Sequence, residues 1–273
     1  MKYKNKPSLL TAVTLALLTT FSSATSANQL RDQLVKAADI KTSGKYVRLG
    51  FLDATKSPVN PTAAKKALII GDSHAQDFFN SVVENNYLQN YQISTRNIPT
   101  RCQVYLGNSL SEYVATKDTV FCEKSDSLKK ASPQIADSEI IILVANWTEW
   151  SANKLPQTIE NMHLKDDQKL FVIGRKSFGK VSIRKYLRLP EEKLQKLRNT
   201  PDSEQEKIST IMHETLKDGM FIDLQKLTCD KDGRCPVFTK ELKLISFDGG
   251  HLTKDGALHI GQLVFKNSQL GKL

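Results

Sequence analysis

Short apolar runs separated by segments of helical periodicity constrain the fold of this chain more than any other feature. The runs are Ala67–Ile70, Tyr91–Ile98, Glu139–Ala145, Lys169–Ile173 and Met220–Ile222. Several are rich in β-branched residues and none alternates cleanly with polar residues, which is typical of parallel strands buried on both faces. Helical spacing is clearest at Phe78, Phe79, Val82 and Val83, at Glu204–Leu216 and at Lys254–Lys266. We therefore predict a three-layer α/β/α sandwich around a central, mainly parallel five-stranded sheet.

The composition is that of an ordinary folded protein. The 273 residues are 40% hydrophobic and 25% charged, with 13 Gly and 9 Pro, which excludes disordered and collagen-like chains. The sequence shows no internal repeat and no Gly/Ser/Pro-rich linker. We expect residues 28–273 to form a single domain.

Residues 1–27 have the pattern of a secretory signal peptide. Lys2, Lys4 and Lys6 precede an uncharged apolar run from Leu9 to Phe21, and small residues follow. Cleavage is expected after Ala27, with Ala24 nearly as suitable. An uncleaved membrane anchor is the alternative, but the run is short for a span. We predict a periplasmic or secreted protein, and nucleic acid is accordingly a poor candidate partner.

The four cysteines fall in two close pairs. In an oxidising compartment this favours disulfides Cys102–Cys122 and Cys229–Cys235, one of three connectivities. A zinc site is the alternative, but neither pair has CxxC spacing and no histidine is close in sequence. We predict no metal and no cofactor.

A candidate nucleophile stands directly after the first predicted strand, in Gly71-Asp72-Ser73-His74-Ala75. Active sites of such sheets lie at the carboxyl ends of the strands, and a helix N-terminus there favours an oxyanion. Ser73 followed by Gln76 is equally a capping-box pattern, which needs no catalysis. The Asp72-x-His74 pattern also occurs in binuclear metallophosphoesterases, but the further ligand segments of those enzymes are missing.

A candidate base and its partner lie in the loop before the last predicted helix. A serine nucleophile needs an imidazole to take its proton, and the imidazole needs a carboxylate to fix its tautomer. Asp248 precedes His251 by three residues, with Gly249 and Gly250 between them. The alternative is a glycine turn that leaves His251 merely exposed.

These motifs together resemble the SGNH (GDSL-like) hydrolase superfamily. The closer similarity is to its branch fused to, or partnered with, membrane acyltransferases that decorate bacterial polysaccharides. The matching segments are Gly71–Ala75, Cys102 with Cys122, Leu227-Thr228-Cys229 with Cys235-Pro236, and Asp248–Ala257. The resemblance implies that Ser73 is the nucleophile, His251 the general base and acid, and Asp248 its orienting partner.

The resemblance also implies an oxyanion hole, whose donors the sequence leaves open. The N–H of Ser73 would be joined by a Gly and an Asn from separate loops, for which Gly107 and Asn146 are the candidates. Backbone amides of residues 100–102 are equally plausible donors. The branch commonly has A-x-W at the position of Asn146, so this asparagine is not assured of the role.

Two surface features bear on the substrate. Trp147 and Trp150 are either a sugar-stacking wall or core aromatics. The basic segment 176–198, which contains Phe178 and Tyr186, is either a solvated face or a lid that attracts an anionic glycan or lipid head group. Its basic residues are Lys176, Lys180, Arg184, Lys185, Arg188, Lys193, Lys196 and Arg198.

The resemblance predicts an exported enzyme that acts on acyl esters of cell-envelope carbohydrate. The acyl group would pass from Ser73 to water or to a sugar hydroxyl, so esterase and O-acetyltransferase activities both stay open. The expected partners are an envelope polysaccharide and a membrane-embedded acyltransferase. The alternative is a non-catalytic glycan-binding accessory protein with the same fold.

Overall fold

The computed structural model describes residues 28–273, and the predicted signal peptide in residues 1–27 lies outside this part. Within residues 28–273 there are seven strands: β1 Lys65–Gly71, β2 Tyr91–Asn97, β3 Ile140–Val144, β4 Lys169–Ile173, β5 Arg198–Asn199, β6 Phe221–Ile222 and β7 Cys235–Pro236. Five of them form the central sheet in the order β2-β1-β3-β4-β6, with every neighbouring pair parallel. β5 and β7 form a separate antiparallel ribbon.

The central sheet is buried on both faces because its strands are continuously apolar. In β1, Ala67 and Ile69 belong to one hydrophobic cluster, and Leu68 and Ile70 belong to a second cluster on the opposite face. All four side chains are at most 1% exposed, as expected for a strand with helices on both sides. The run of β-branched and aliphatic residues therefore explains both the strand and its central position.

The helices of the described part vary widely in length. They are α1 28–37, α2 Ile40–Ala54, α3 Ser73–Glu84, α4 Leu110–Tyr113, α5 Thr119–Lys124, α6 Leu128–Ala136, α7 Glu149–Asn153, α8 Leu155–Asn161, α9 Ile183–Tyr186, α10 Glu191–Gln195, α11 Glu204–Thr215, α12 Leu224–Thr228 and α13 Lys254–Asn267. Single 3₁₀ turns occupy Thr116–Asp118 and Gln269–Lys272. Within residues 28–273, no helix is both long enough and apolar enough to cross a bilayer.

The helices complete a three-layer sandwich. Helices α2, α3 and α13 contribute Phe51, Phe79 and Ile260 to the cluster on one face of the sheet. Helices α6, α7, α8 and α11 supply the second cluster, with Leu128 and Met212 among its fully buried members. The predicted fold class is confirmed, and each predicted strand agrees with a strand of the central sheet to within two residues at either end.

A smaller cluster and two disulfides hold the segments outside the sheet. Leu34 of α1 packs with Tyr186, Phe238 and Leu244 beside the β5–β7 ribbon. The predicted pairs are both bonded, Cys102 to Cys122 and Cys229 to Cys235. Each disulfide closes a segment that the central sheet does not hold by strand pairing.

Candidate active site

The turn after β1 is built around Gly71, whose φ is +154°. A Cβ atom at this position would lie 1.6 Å from the carbonyl oxygen of Val144 at the end of β3. Because both groups belong to the sheet backbone, neither can move aside cheaply, and glycine is required where the chain leaves β1 for α3. This close approach places the first turn of α3 beside the end of β3.

Asp72 caps α3, and Ser73 is its first helical residue. Oδ1 of Asp72 accepts the N–H of His74 at 2.9 Å, and both carboxylate oxygens accept the N–H of Asn146, at 3.1 and 3.0 Å. Burial raises the pKa of Asp72, although these hydrogen bonds oppose the rise. Gln76 donates to Asn97 instead of reaching back to the cap, so the capping-box interpretation of Ser73 and Gln76 is wrong.

Because Asp72 caps α3, the hydroxyl of Ser73 is not needed as a helix cap. The side chain is partly exposed at the helix N-terminus, and no hydrogen bond to it is present among residues 28–273. The N–H of Ser73 is one of the first-turn amides that an α-helix cannot satisfy internally. The predicted nucleophile therefore carries a hydroxyl without a hydrogen-bond partner beside an amide that can stabilise an anion.

Asp248 fixes His251 by both its ring and its backbone. Oδ2 of Asp248 lies 2.7 Å from Nδ1 of His251, and Oδ1 accepts the N–H groups of His251 and Gly250 at 2.7 and 2.9 Å. Partial burial raises the pKa of Asp248, but the hydrogen bonds from His251 and Gly250 outweigh it and lower that pKa to about 2. An ionised Asp248 holds the proton on Nδ1, which leaves the lone pair of Nε2 free to accept another proton.

The loop that carries His251 packs directly on α3. The N–H of Leu252 donates to Oδ1 of Asp77 at 3.1 Å, and the rings of His251 and His74 meet edge to face with centroids 6.4 Å apart. His74 directly follows Ser73, so the structure brings the three predicted catalytic residues to one end of the sheet. The side chain of His251 is 32% exposed, which leaves it accessible to a substrate.

The candidate oxyanion donors differ in their surroundings. Asn146 follows β3 by two residues, and its backbone N–H is already bound to Asp72, which leaves only its side-chain amide for an oxyanion. Gly107 lies next to helix α8. The N–H of the adjacent Leu106 donates to the hydroxyl of Thr158, and its carbonyl accepts a hydrogen bond from the side-chain amide of Asn161. A Cβ atom at Gly107 would lie 2.1 Å from the hydroxyl of Tyr105, but this is the end of a side chain that can shift, so the contact does not by itself require glycine.

The two tryptophans occupy different environments. Trp147 is fully buried and donates its indole N–H to the carbonyl of Ile173 at 2.8 Å, so it offers no ring face to a sugar. Trp150 is partly exposed and stacks on Tyr113, with centroids 5.1 Å apart and planes 12° apart. Tyr105 meets this pair edge-on. Of the two sequence candidates, only Trp150 stands where a sugar could contact it.

The comparisons with known proteins agree with the motifs. Residues 42–266 match the family model of the SGNH domain, described as fused to AT3 domains. The chain belongs to the SGNH domain family. Its resemblance to the acyltransferase-linked branch, inferred from the motifs, is thereby confirmed.

One solved structure similar to this SGNH domain is the periplasmic domain of a lipopolysaccharide acetyltransferase from Salmonella ser. Paratyphi A. The two share 18% sequence identity with a TM-score of 0.47, over 75% of this chain and 84% of that chain. No curated protein matches the sequence.

One basic residue of segment 176–198 belongs to the interior of the SGNH domain. Nζ of Lys176 lies 2.8 Å from Oδ2 of Asp77, and the two side chains are 2% and 1% exposed. Phe178 and Tyr186 are also buried, whereas the other seven basic residues are exposed. The seven exposed residues fit either a solvated face or a lid, whereas Lys176 fits neither. Sequence reasoning missed the Lys176–Asp77 pair, because its members lie in different elements.

Two cavities of the described part are known in detail, and neither is a ligand-sized pocket beside Ser73. A cavity of about 10 Å³ lies beside His74 and Lys176, enough for roughly one water molecule. Nδ1 of His74 is buried without a hydrogen-bond partner in residues 28–273, and burial lowers the pKa of this ring well below its usual value. A larger open groove of about 400 Å³ is lined by Lys169 and Leu170, at the other end of the sheet from Ser73. No cluster of three metal-ligating side chains is present in the described part.

Proposed function

We propose that this SGNH domain is a serine-dependent enzyme acting on acyl esters of cell-envelope carbohydrate. The observation that carries the proposal is the 2.7 Å contact between Asp248 and His251, in a loop held against the helix that begins at Ser73. The family match supports a role in carbohydrate acyl chemistry, because such domains occur fused to acyltransferases. The two disulfides fit a location outside the reducing cytosol.

The first half-reaction forms an acyl-enzyme. Oγ of Ser73 attacks the ester carbonyl carbon while Nε2 of His251 takes the hydroxyl proton, and ionised Asp248 stabilises the resulting imidazolium. The N–H of Ser73 and the side-chain amide of Asn146 donate to the oxyanion. The tetrahedral intermediate then expels the alcohol, which receives its proton from His251, and Ser73 is left as an ester.

The second half-reaction decides between hydrolysis and transfer. His251 removes a proton from water or from a sugar hydroxyl, whose oxygen attacks the acyl carbon to form a second tetrahedral intermediate. This intermediate expels Oγ of Ser73, which receives the proton back from His251. Trp150 and Tyr113 form a partly exposed aromatic surface that we assign to the carbohydrate. The family is described as fused to AT3 domains. A membrane acyltransferase of that kind would supply or accept the acyl group.

The test is the intact mass of the protein after incubation with a fluorophosphonate. We expect a single adduct on the wild type, none on Ser73→Ala and slow labelling of His251→Gln. Ser57→Ala, which alters an exposed serine in the turn after α2, is the matched control and should label like the wild type. Absence of an adduct on folded wild-type protein would overturn the enzyme assignment in favour of a glycan-binding accessory role.

A further inference from the structure

The ion pair between Asp77 and Lys176 contacts the chain on both sides of His251. Nζ of Lys176 donates to the carbonyl of Gly250 at 2.6 Å, and Oδ1 of Asp77 accepts the N–H of Leu252 at 3.1 Å. Gly250 and Leu252 are the two sequence neighbours of His251. The backbone that carries the histidine is therefore held at one end by a cation and at the other by its counter-ion.

A buried ion pair is weak evidence for a purely stabilising role. Removing two charges from water costs about as much as their attraction returns, and well-packed apolar residues are often equally stable. Burial raises the pKa of Asp77, and only the nearby Lys176 and His251 and the hydrogen bonds to the carboxylate oppose this rise. An apolar contact could fill the same position without removing any charge from water.

The segment that follows Lys176 extends the same support. The N–H of Phe178 donates to the carbonyl of Gly249 at 2.7 Å, and a Cβ atom at Gly249 would lie 2.1 Å from the carbonyl oxygen of Gly179. Gln225 in turn holds Ser177 by two hydrogen bonds of 2.9 Å. Segment 176–179 is therefore fixed on its far side by α12 and supports the His251 loop on its near side.

We propose that Asp77 and Lys176 are positioning residues that set the placement of His251 relative to Ser73. This inference rests on the proposed function, since it assigns His251 the role of base. The pair touches neither the reacting atoms nor the ring of His251 by hydrogen bonds. It acts through the backbone of Gly250 and Leu252, and an error of about 1 Å in such a placement can cost on the order of a hundredfold in rate.

The test compares Lys176→Met, Asp77→Asn and the double variant in the full chain. Lys176→Met removes the hydrogen-bond donor to the carbonyl of Gly250 and leaves the buried carboxylate of Asp77 without its counter-ion. Both the melting temperature and kcat should therefore fall. The double variant has no uncompensated charge, and the amide introduced by Asp77→Asn keeps an acceptor for the N–H of Leu252. We expect its melting temperature to recover most of the loss, while kcat for a small acetyl ester stays about tenfold or more below wild type with KM nearly unchanged. Lys185→Met, an exposed change in the same basic segment, is the matched control.

A spectroscopic readout separates this inference from the proposed function. The proton on Nδ1 of His251, hydrogen-bonded to Asp248, should give a downfield NMR signal that His251→Gln removes. Because Asp248 binds His251 within one loop, we expect the signal to persist but to change its chemical shift in Lys176→Met and in the double variant, since the ring of His251 then meets α3 differently, whether or not the wild type hydrolyses esters. A double variant that retains the wild-type signal and regains wild-type kcat would overturn the positioning role and leave the pair purely structural.

Discussion

The carboxylate of Asp248 binds His251 through both of its oxygens. Oδ2 lies 2.7 Å from the ring Nδ1, and Oδ1 accepts the backbone N–H of the same residue at 2.7 Å. The ring and the main chain of the histidine are therefore oriented by a single side chain. The spacing of three residues makes this arrangement local, so it forms within one loop. The loop then needs only to be placed correctly against α3.

Replacement of Asp248 by Asn should abolish most of the activity while preserving the fold. The amide retains an acceptor for the backbone N–H groups, but it can donate to Nδ1 and so favours the tautomer that carries its proton on Nε2. Such a histidine cannot accept the proton of Ser73. We expect kcat for a small acetyl ester to fall on the order of 10³- to 10⁴-fold. Circular dichroism should be unchanged, and a loss below tenfold would show that Asp248 is not the orienting carboxylate.

Asp248 should also contribute to the pH dependence of stability. Its pKa is lowered from 3.8 to about 2, so its contribution is fully present above the unfolded value and is lost as the pH falls through the folded value. The free energy of unfolding of the wild type, relative to Asp248→Asn, should therefore decrease between pH ~4 and pH ~2. The side chain is 36% exposed, so solvent screening keeps the effect small.

Urea titrations of the wild type and of Asp248→Asn across this pH range measure the difference in their free energies of unfolding. Asp72 and Asp77 are present in both proteins, so their contributions cancel. A difference that stays constant down to pH ~2 would contradict the lowered pKa.

Gly71→Ala should lower the free energy of unfolding far more than a glycine-to-alanine change at a position with open space. The new Cβ would lie 1.6 Å from the carbonyl oxygen of Val144, so either β1 and β3 separate or the turn to Ser73 shifts. We expect a loss of about 2–4 kcal/mol in the free energy of unfolding, together with reduced fluorophosphonate labelling. Gly44→Ala is the control, because it lies within α2 with nothing inside 4 Å of its Cβ, and it should stabilise by about 0.5–1 kcal/mol. Equal effects of the two substitutions would contradict the close approach.

The sequence predicts the parts of this structure that depend on local pattern. Buried parallel strands are continuous apolar runs, and the Asp248–His251 pair lies within four residues, so both are visible in one sequence. Lys176 is different, because nothing near it distinguishes a buried lysine from its exposed neighbours until Asp77 of α3 is brought beside it. Trp147 and Trp150 are similarly indistinguishable in sequence, and only their positions after β3 and within α7 decide which one reaches the surface.

Trp150 offers the clearest distinction between the chemistry and the recognition of carbohydrate. Trp150 stacks on Tyr113 and forms with it a partly exposed aromatic surface, which suits the apolar face of a sugar ring. A small ester has no sugar ring, so this surface should not contribute to its binding. We expect Trp150→Ala to leave hydrolysis of a small acetyl ester within about twofold of wild type. For an acetylated oligosaccharide, KM should rise about tenfold, corresponding to a loss of about 1.4 kcal/mol in binding.

Trp150→Phe is the matched control for this prediction, since it retains an aromatic face and should keep most of the affinity for the oligosaccharide. Trp150 also packs against the cluster that contains Trp147, so melting temperatures are needed to confirm that both variants remain folded. If Trp150→Ala slowed both substrates equally, its effect would operate through the catalytic residues. The carbohydrate would then have to contact another part of the surface around Ser73.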